Sequence, residues 1–186
     1  FSPRAVEAIK NRKTKVQSWF LDLSLVMNYW GGGAKRAYHH TAPINALYGL
    51  HEALVLLQEE GIEASWQRHR TMHEALKAGL EALGMGFIVD EAARLPQLNA
   101  VTIPDGVDEA RVRSTLLNRY GLEIGAGLGA LAGKIWRIGL MGYSASPKNV
   151  LFCLSALEAT LSEQNAPIHR GVATEAAQKV LIAKAY

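Results

Sequence analysis

Apolar residues recur at helix or strand spacing along most of the chain, and changes in that period mark out its elements. Ser2-Pro3 followed by Ala5, Val6 and Ile9 predicts a helix start, with Ser2 as N-cap and Pro3 in the first helical position. Residues 16–30 are rich in apolar and aromatic residues (Trp19, Phe20, Leu21, Leu25, Val26, Tyr29 and Trp30), interrupted only by small or single polar residues, and predict a buried segment. Gly31-Gly32-Gly33 breaks it, and Lys35-Arg36 with Tyr38-His39-His40-Thr41 predicts a polar loop. Thr41 and Pro43 mark the next helix start. Ile44, Leu47, Leu50, Leu54 and Leu57 then fall three and four apart until Gly61. A second helical stripe runs through Ile62, Trp66, His69, Met72, Leu76, Leu80 and Leu83 to Gly84. Glu59-Glu60-Gly61 is left as a hinge or domain boundary.

From residue 86 the period shortens. Phe87-Ile88-Val89 and Leu98 to Ile103 predict strands around a loop containing Pro96. Val107 to Tyr120 predicts a helix with Val112, Leu116 and Leu117 inward and Gly121 as its stop. Leu122-Glu123-Ile124 predicts a short strand, Gly125 to Gly133 a glycine-rich loop, and Lys134 to Gly139 a strand of alternating faces. Ser146-Pro147 opens a helix with Val150, Leu151, Leu154, Leu157 and Leu161 on its apolar face. Asn165 to Gly171 is a break, and the Ala-rich tail to Tyr186 is weakly helical. After residue 60 the order is therefore β-β-α-β-β-α, an α+β unit with a small, mostly antiparallel sheet backed by helices.

With 186 residues, 49% hydrophobic and 20% charged, the chain has globular composition and the size of one domain, or of one domain plus a piece of another. Its 20 Lys+Arg against 17 Asp+Glu leave a scattered net charge of +3, too small to argue for a nucleic-acid partner. No apolar run approaches the roughly 18–20 residues of a membrane span. The single cysteine, Cys153, has no internal disulfide partner and sits in an apolar helical stretch, which predicts a buried thiol. The chain opens at Phe1 directly into a capped helix, without a signal-peptide pattern, and so reads as part of a longer protein. A cytoplasmic location is expected, with peroxisome or mitochondrion as eukaryotic alternatives.

Candidate chemistry narrows quickly. Gly125-Ala126-Gly127-Leu128-Gly129-Ala130 approximates a dinucleotide fingerprint, but a strand follows it where the fingerprint needs a helix. Gly133-Lys134 lacks the glycine and the hydroxyl of a P-loop, since Leu128 and Ile135 occupy those places. The glycines instead predict backbone passing close to a side chain or a ligand. His69 and His73 lie four apart on one helix but have no third ligand at a motif distance, so no metal is expected. His39 and His40 should point to opposite sides of an extended backbone. Arg137, in an apolar strand just after the glycine loop, needs an anion. That anion is either an internal carboxylate or the carboxylate of a substrate gripped by the guanidinium fork. Tyr38 and Thr41 are either a packed tyrosine with an N-cap, or hydroxyls that donate to a phosphate.

Taken in order, Tyr38-His39-His40-Thr41, Leu47-Tyr48-Gly49-Leu50, Glu60-Gly61-Ile62-Glu63, Gly127-Leu128-Gly129 and the run from Gly133 through Trp136-Arg137-Ile138 to Gly142 resemble one family. It is the alanine–glyoxylate (serine–pyruvate) aminotransferases, class V, fold-type I enzymes that use pyridoxal phosphate. The tail with Pro167, Gly171 and Val172 is also similar to serine–glyoxylate aminotransferases. The resemblance implies an α/β enzyme of which residues 1–60 end the large cofactor domain, 61–162 form the small α+β domain, and 163–186 are a tail. It implies that Arg137 binds the substrate carboxylate, and that Tyr38 and Thr41 hold the cofactor phosphate in the neighbouring subunit of a homodimer. The Schiff-base lysine, the acid that pairs with the pyridine nitrogen and the aromatic that stacks on the ring would lie upstream of Phe1. No catalytic residue is then expected in this chain, and it should be inactive without that missing N-terminal half. The implied activity moves the amino group of alanine or serine to glyoxylate or pyruvate, small amino-acid and 2-oxo-acid substrates. Alternatives are a non-catalytic small-ligand-binding or dimerising module, or another class V enzyme such as a phosphonate aminotransferase.

Overall fold

A computed structural model describes residues 1–30 and 38–184. The expected break at Gly31-Gly32-Gly33 and the Lys35-Arg36 pair lie outside the described residues. The chain divides into two compact units, Phe1–Val55 and Leu56–Tyr186.

The first unit holds α1 (Pro3–Lys10), α2 (Leu23–Trp30) and most of α3 (Ile44–Glu60). Helix α1 starts as its sequence dictates. The Ser2 side chain accepts a hydrogen bond from the Ala5 amide, and Pro3 occupies the position whose N–H would otherwise be orphaned. The expectation of burial across residues 16–30 is corrected. In α2 only Val26 is buried, and Trp19 and Trp30 are 59% and 69% exposed. The apolar pattern specifies a surface that water disfavours; burial also needs a second surface, and the described residues of the chain do not supply it. Helix α3 repeats the lesson: its stripe at Leu47, Leu50 and Leu54 is present at the right spacing, yet no residue of the helix is buried.

The second unit contains α4 (Ile62–Ala82), β1 (Leu98–Thr102), α5 (Glu109–Tyr120), β2 (Gly125–Ala126), β3 (Ile135–Gly139), α6 (Pro147–Glu163) and α7 (Ala173–Lys184). The strands form an antiparallel sheet in the order β1-β3-β2. Register decides which side chains go where. Asn99, Val101, Trp136 and Ile138 are buried, and Trp136 and Ile138 join one apolar cluster with Leu76, Leu80, Val112 and Leu116. Leu154, Leu157 and Leu161 of α6 complete it. Each fully buried leucine contributes about 1.5–3 kcal/mol through removal of its side chain from water. The alternate residues, Ala100 and Arg137, are cross-strand partners on the opposite face of the sheet. Helix α7 packs on α4 and α6, where Ala173 and Ala177 are fully buried; the weakly helical tail becomes a regular helix because its small residues let it approach closely.

Two strand expectations are corrected. Phe87-Ile88-Val89 runs beside β1 but makes only an isolated bridge to Val101 and a bond from the Ile88 amide to the Ala100 carbonyl. Leu122-Glu123-Ile124 is not a strand, because the chain is still closing α5. Gly121 adopts a left-handed φ of 61°, and the Leu122 amide turns back onto the Leu116 carbonyl. The ladder therefore begins three residues later than expected, at Gly125, inside the glycine-rich loop.

Candidate functional site

In the second unit Arg137 lies on the sheet face opposite the buried Trp136 and Ile138. β3 presents Arg137 between Ala100 of β1 and Gly125 of β2, its partners in the register. Its Nε donates to the Ala126 carbonyl at 2.8 Å, which sets the plane of the guanidinium. A Cβ built on Gly125 would lie 3.3 Å from an Arg137 Nη and 3.4 Å from its Nε. The missing side chain at Gly125 is thus what lets the guanidinium lie flat along β2. Gly127 is a tighter case: a Cβ there would sit 2.0 Å from the Leu131 carbonyl oxygen, so the loop closes only on glycine.

Both readings of Arg137 needed an anion. Among the described residues no carboxylate forms an ion pair with it; the ion pairs present use Arg68, Lys77, Arg113, Arg119, Lys179 and Lys184. Arg137 instead borders a cavity of about 170 Å³ that is also lined by Phe87, Val89, Leu98, Ala100 and a second arginine, Arg94. Sequence reasoning missed Arg94. Its Nε donates to the Val89 carbonyl at 2.8 Å, its guanidinium carbon lies 4.5 Å from the centre of the Phe87 ring, and its Nη1 is buried without a partner. The available signal was a lone arginine two residues before Pro96, in a segment whose regular strand pairing had already failed.

The histidines of α4 support this sheet from below. His73 Nδ1–H donates to Asn99 Oδ1 at 2.6 Å, and Asn99 Nδ2 donates to the carbonyls of Pro96 and Ile138, each at 3.3 Å. Asn99 is 2% exposed, so this network ties α4, the loop before β1 and β3 together from beneath the site. His69 Nδ1–H donates to the Ser65 carbonyl at 2.6 Å, while Nε2 accepts from the Gly142 amide at 3.0 Å. Both nitrogens are used. Beside it Arg68 donates to the carbonyls of Gly142 and Ala145 at 2.8 and 3.0 Å and pairs with Glu60. The Arg68 guanidinium holds the Glu60 carboxyl below its ordinary value. Burial pushes the Cys153 thiol up to about 12, as the apolar reading of that residue implies.

In the first unit the Tyr38 and Thr41 hydroxyls meet in a hydrogen bond, and Tyr38 is exposed. The N-cap reading of Thr41 is not realised: α3 begins at Ile44, and the Thr41 hydroxyl is turned to Tyr38. Two adjacent, accessible hydroxyls suit one tetrahedral oxyanion that accepts from both. The expectation for His39 and His40 is corrected. Their Nδ1 atoms lie 2.6 Å apart, because His39 stacks on Trp19 at 4.0 Å and His40 tilts against Phe20 at 4.7 Å. Aromatic contacts override the alternation of an extended backbone.

The family model described as aminotransferase class-V matches residues 22–150. The chain is 44% identical over 165 residues to the (S)-ureidoglycine–glyoxylate transaminase of Bacillus subtilis, covering 89% of this chain and 39% of that protein. It is 45% identical over 163 residues to the alanine–glyoxylate aminotransferase of Callithrix jacchus, covering 87% of this chain and 39% of that protein. The crystal structure of the Bacillus subtilis ureidoglycine–glyoxylate aminotransferase superposes with a TM-score of 0.90 at 42% identity, covering 98% of this chain and 46% of that one. The chain thus spans about two-fifths of the length of the curated relatives it matches. A match over most of the chain, joined to the α+β sheet and its helices, identifies the chain as a member of the class-V aminotransferases, with the C-terminal part of their fold-type I architecture.

Proposed function

We propose that this chain supplies the substrate-carboxylate grip and part of the phosphate anchor of a pyridoxal-phosphate aminotransferase that moves the amino group of alanine or serine to glyoxylate or pyruvate. The observation that carries the reading is Arg137: a half-buried guanidinium, fixed through Nε, with no carboxylate paired to it among the described residues. A partly desolvated guanidinium is stabilised when an anion neutralises it. The amino donor and the 2-oxo acceptor share one feature, the carboxylate. A two-pronged bond from the Nη atoms therefore serves both halves of the reaction.

Tyr38 and Thr41 fit the cofactor, because their hydroxyls are adjacent and can both donate to phosphate oxygens. In this reading they do so in the neighbouring subunit of a homodimer. When bound, pyridoxal phosphate supplies the electron sink that stabilises the carbanion at the substrate Cα. The residues of this chain orient. Arg137 sets where the carboxylate lies, and so which Cα bond is presented to the ring, a contribution of geometry and not of bond-making. Gly125 and Ala126 keep that fork in its plane.

Arg137→Ala in the full-length protein should raise KM for both the amino acid and the 2-oxo acid by about 10–100-fold, the loss of a charge-assisted hydrogen-bond pair worth roughly 1.5–3 kcal/mol. Separate half-reaction kinetics check this. If only the amino-donor half is impaired, Arg137 does not hold the common carboxylate.

A further inference from the structure

Tyr38 and Thr41 stand three apart in the chain, and in extended backbone residues three apart project from opposite faces. Their hydroxyls nevertheless meet in a hydrogen bond. A single break of the alternation, between His39 and His40, accounts for this. With the phase reversed there, residues 39 and 40 share one side and residues 38 and 41 share the other. Both halves of that arrangement are present: Tyr38 and Thr41 are exposed, His39 is 8% exposed, and the Nδ1 atoms of His39 and His40 lie 2.6 Å apart. The imidazoles take consecutive aromatic residues in order. His39 stacks on Trp19 with 20° between the ring planes, and His40 tilts against Phe20. Those contacts seat each ring, and the proton that one Nδ1 donates to the other joins the two. His39 Nε2 is buried without a hydrogen-bond partner, so Nδ1 carries the hydrogen bonding of that ring. A buried imidazole that loses this bond is left unsatisfied, which costs more than the bond itself contributes.

We infer that His39 and His40 are positioning residues for the cofactor phosphate, their Nδ1–Nδ1 hydrogen bond holding the reversal that sets the Tyr38 and Thr41 hydroxyls side by side. The inference rests on the reading of Tyr38 and Thr41 given above and names the pair that acts through them. Each hydroxyl has one proton to give. When both donate to phosphate oxygens, the bond between the two hydroxyls is given up. Of the two side-chain bonds that close residues 38–41, the imidazole bond is then the one that remains. Without it the segment relaxes toward alternation, the hydroxyls separate to opposite faces, and one oxyanion can no longer accept from both.

The test is the affinity of the cofactor-free full-length protein for pyridoxal phosphate, read by absorbance titration and not by turnover. His40→Phe keeps a ring against Phe20 and removes the bond, and it should weaken binding about tenfold. His40→Asn places an amide atom where the imidazole has Nδ1, and should recover the affinity to within about threefold of wild type. In a Tyr38→Phe/Thr41→Val background, His40→Phe should cost less than about twofold, since hydroxyls already removed cannot be misplaced. Equal losses in His40→Asn and His40→Phe would make His40 a packing residue and overturn the inference. So would unchanged affinity in His40→Phe, or a full tenfold loss in the background without the hydroxyls. The two levels separate cleanly. If Tyr38→Phe/Thr41→Val binds as tightly as wild type, the phosphate reading of those hydroxyls is lost, whereas a loss there without one in His40→Phe removes the histidine pair alone.

Discussion

At the scale of single residues, the chemistry depends on what glycine leaves out. Gly125 faces Arg137 across the β2–β3 ladder, and a methyl group there would press on the guanidinium at distances of 3.3 to 3.4 Å. Only a few tenths of an ångström separate this from ordinary contact, so the arginine has to give way while the sheet stays intact. Gly125→Ala should therefore raise KM for carboxylate substrates by about 3–10-fold, with a change in unfolding midpoint of only a few degrees. Kinetics and thermal unfolding on the same variant check it; a large stability loss with unchanged KM would show that Gly125 serves the sheet and not the fork. Arg137 itself was legible in the sequence as a cation in an apolar strand beside a glycine loop. Whether its anion was internal was not legible, because any of 17 acidic residues could have reached it. Arg94 was not legible at all, since a surface loop arginine and a cavity arginine look alike until the fold brings residues 87, 94 and 137 together.

At the scale of elements, the joint between α3 and α4 is held electrostatically to the turn after β3. Arg68 links Glu60 at the end of α3 to the carbonyls of Gly142 and Ala145. Because Arg68 depresses the Glu60 carboxyl in the folded protein, the pair's stabilisation is fully present above the ordinary value of 4.5 and is lost as pH falls through the lower folded value. Wild type should therefore unfold at a higher temperature than Glu60→Gln at pH 7, and the two should converge as pH drops below 4.5. A gap that persists into acid would mean that the glutamate acts through packing. Helix boundaries were well announced, since caps and stops act within a few residues: Ser146 accepts from the Asn149 amide as expected, and Gly121 ends α5. Strand boundaries were not. The ladder partner of Gly125 lies at Arg137, and the Leu122 amide is claimed by the preceding helix before any strand can use it.

At the scale of the whole molecule, the second unit is a packed α+β domain, whereas the apolar residues of α2 and α3 remain mostly exposed. Among the described residues no helix is long and apolar enough to cross a membrane. Among the described residues, none that lines the cavity beside Arg137 is a lysine. Covalent amino transfer requires one within reach of the substrate amine, so the 186 residues mixed with pyridoxal phosphate, alanine and glyoxylate should produce no pyruvate. A coupled pyruvate assay on the purified chain checks this, and turnover by the chain alone would show that one of its own lysines reaches the substrate.

The sequence by itself determined the helices, the Ser2 cap and the Gly121 stop, the antiparallel character of the small sheet, the buried thiol, and the family motif centred on Trp136-Arg137-Ile138. These follow from interactions that span a turn of helix or alternate along a strand, so their causes lie within a few neighbouring residues. Only the tertiary structure decided that Arg137 has no internal ion pair among the described residues, that Gly125 is the residue it lies against, that Arg94 shares its cavity, and that apolar stripes in α2 and α3 stay open. Such outcomes depend on strand register and on which surface meets which. A hydrophobic pattern states that a face is sticky, and an arginine states that an anion is needed, but the partner is chosen by residues far away in the chain.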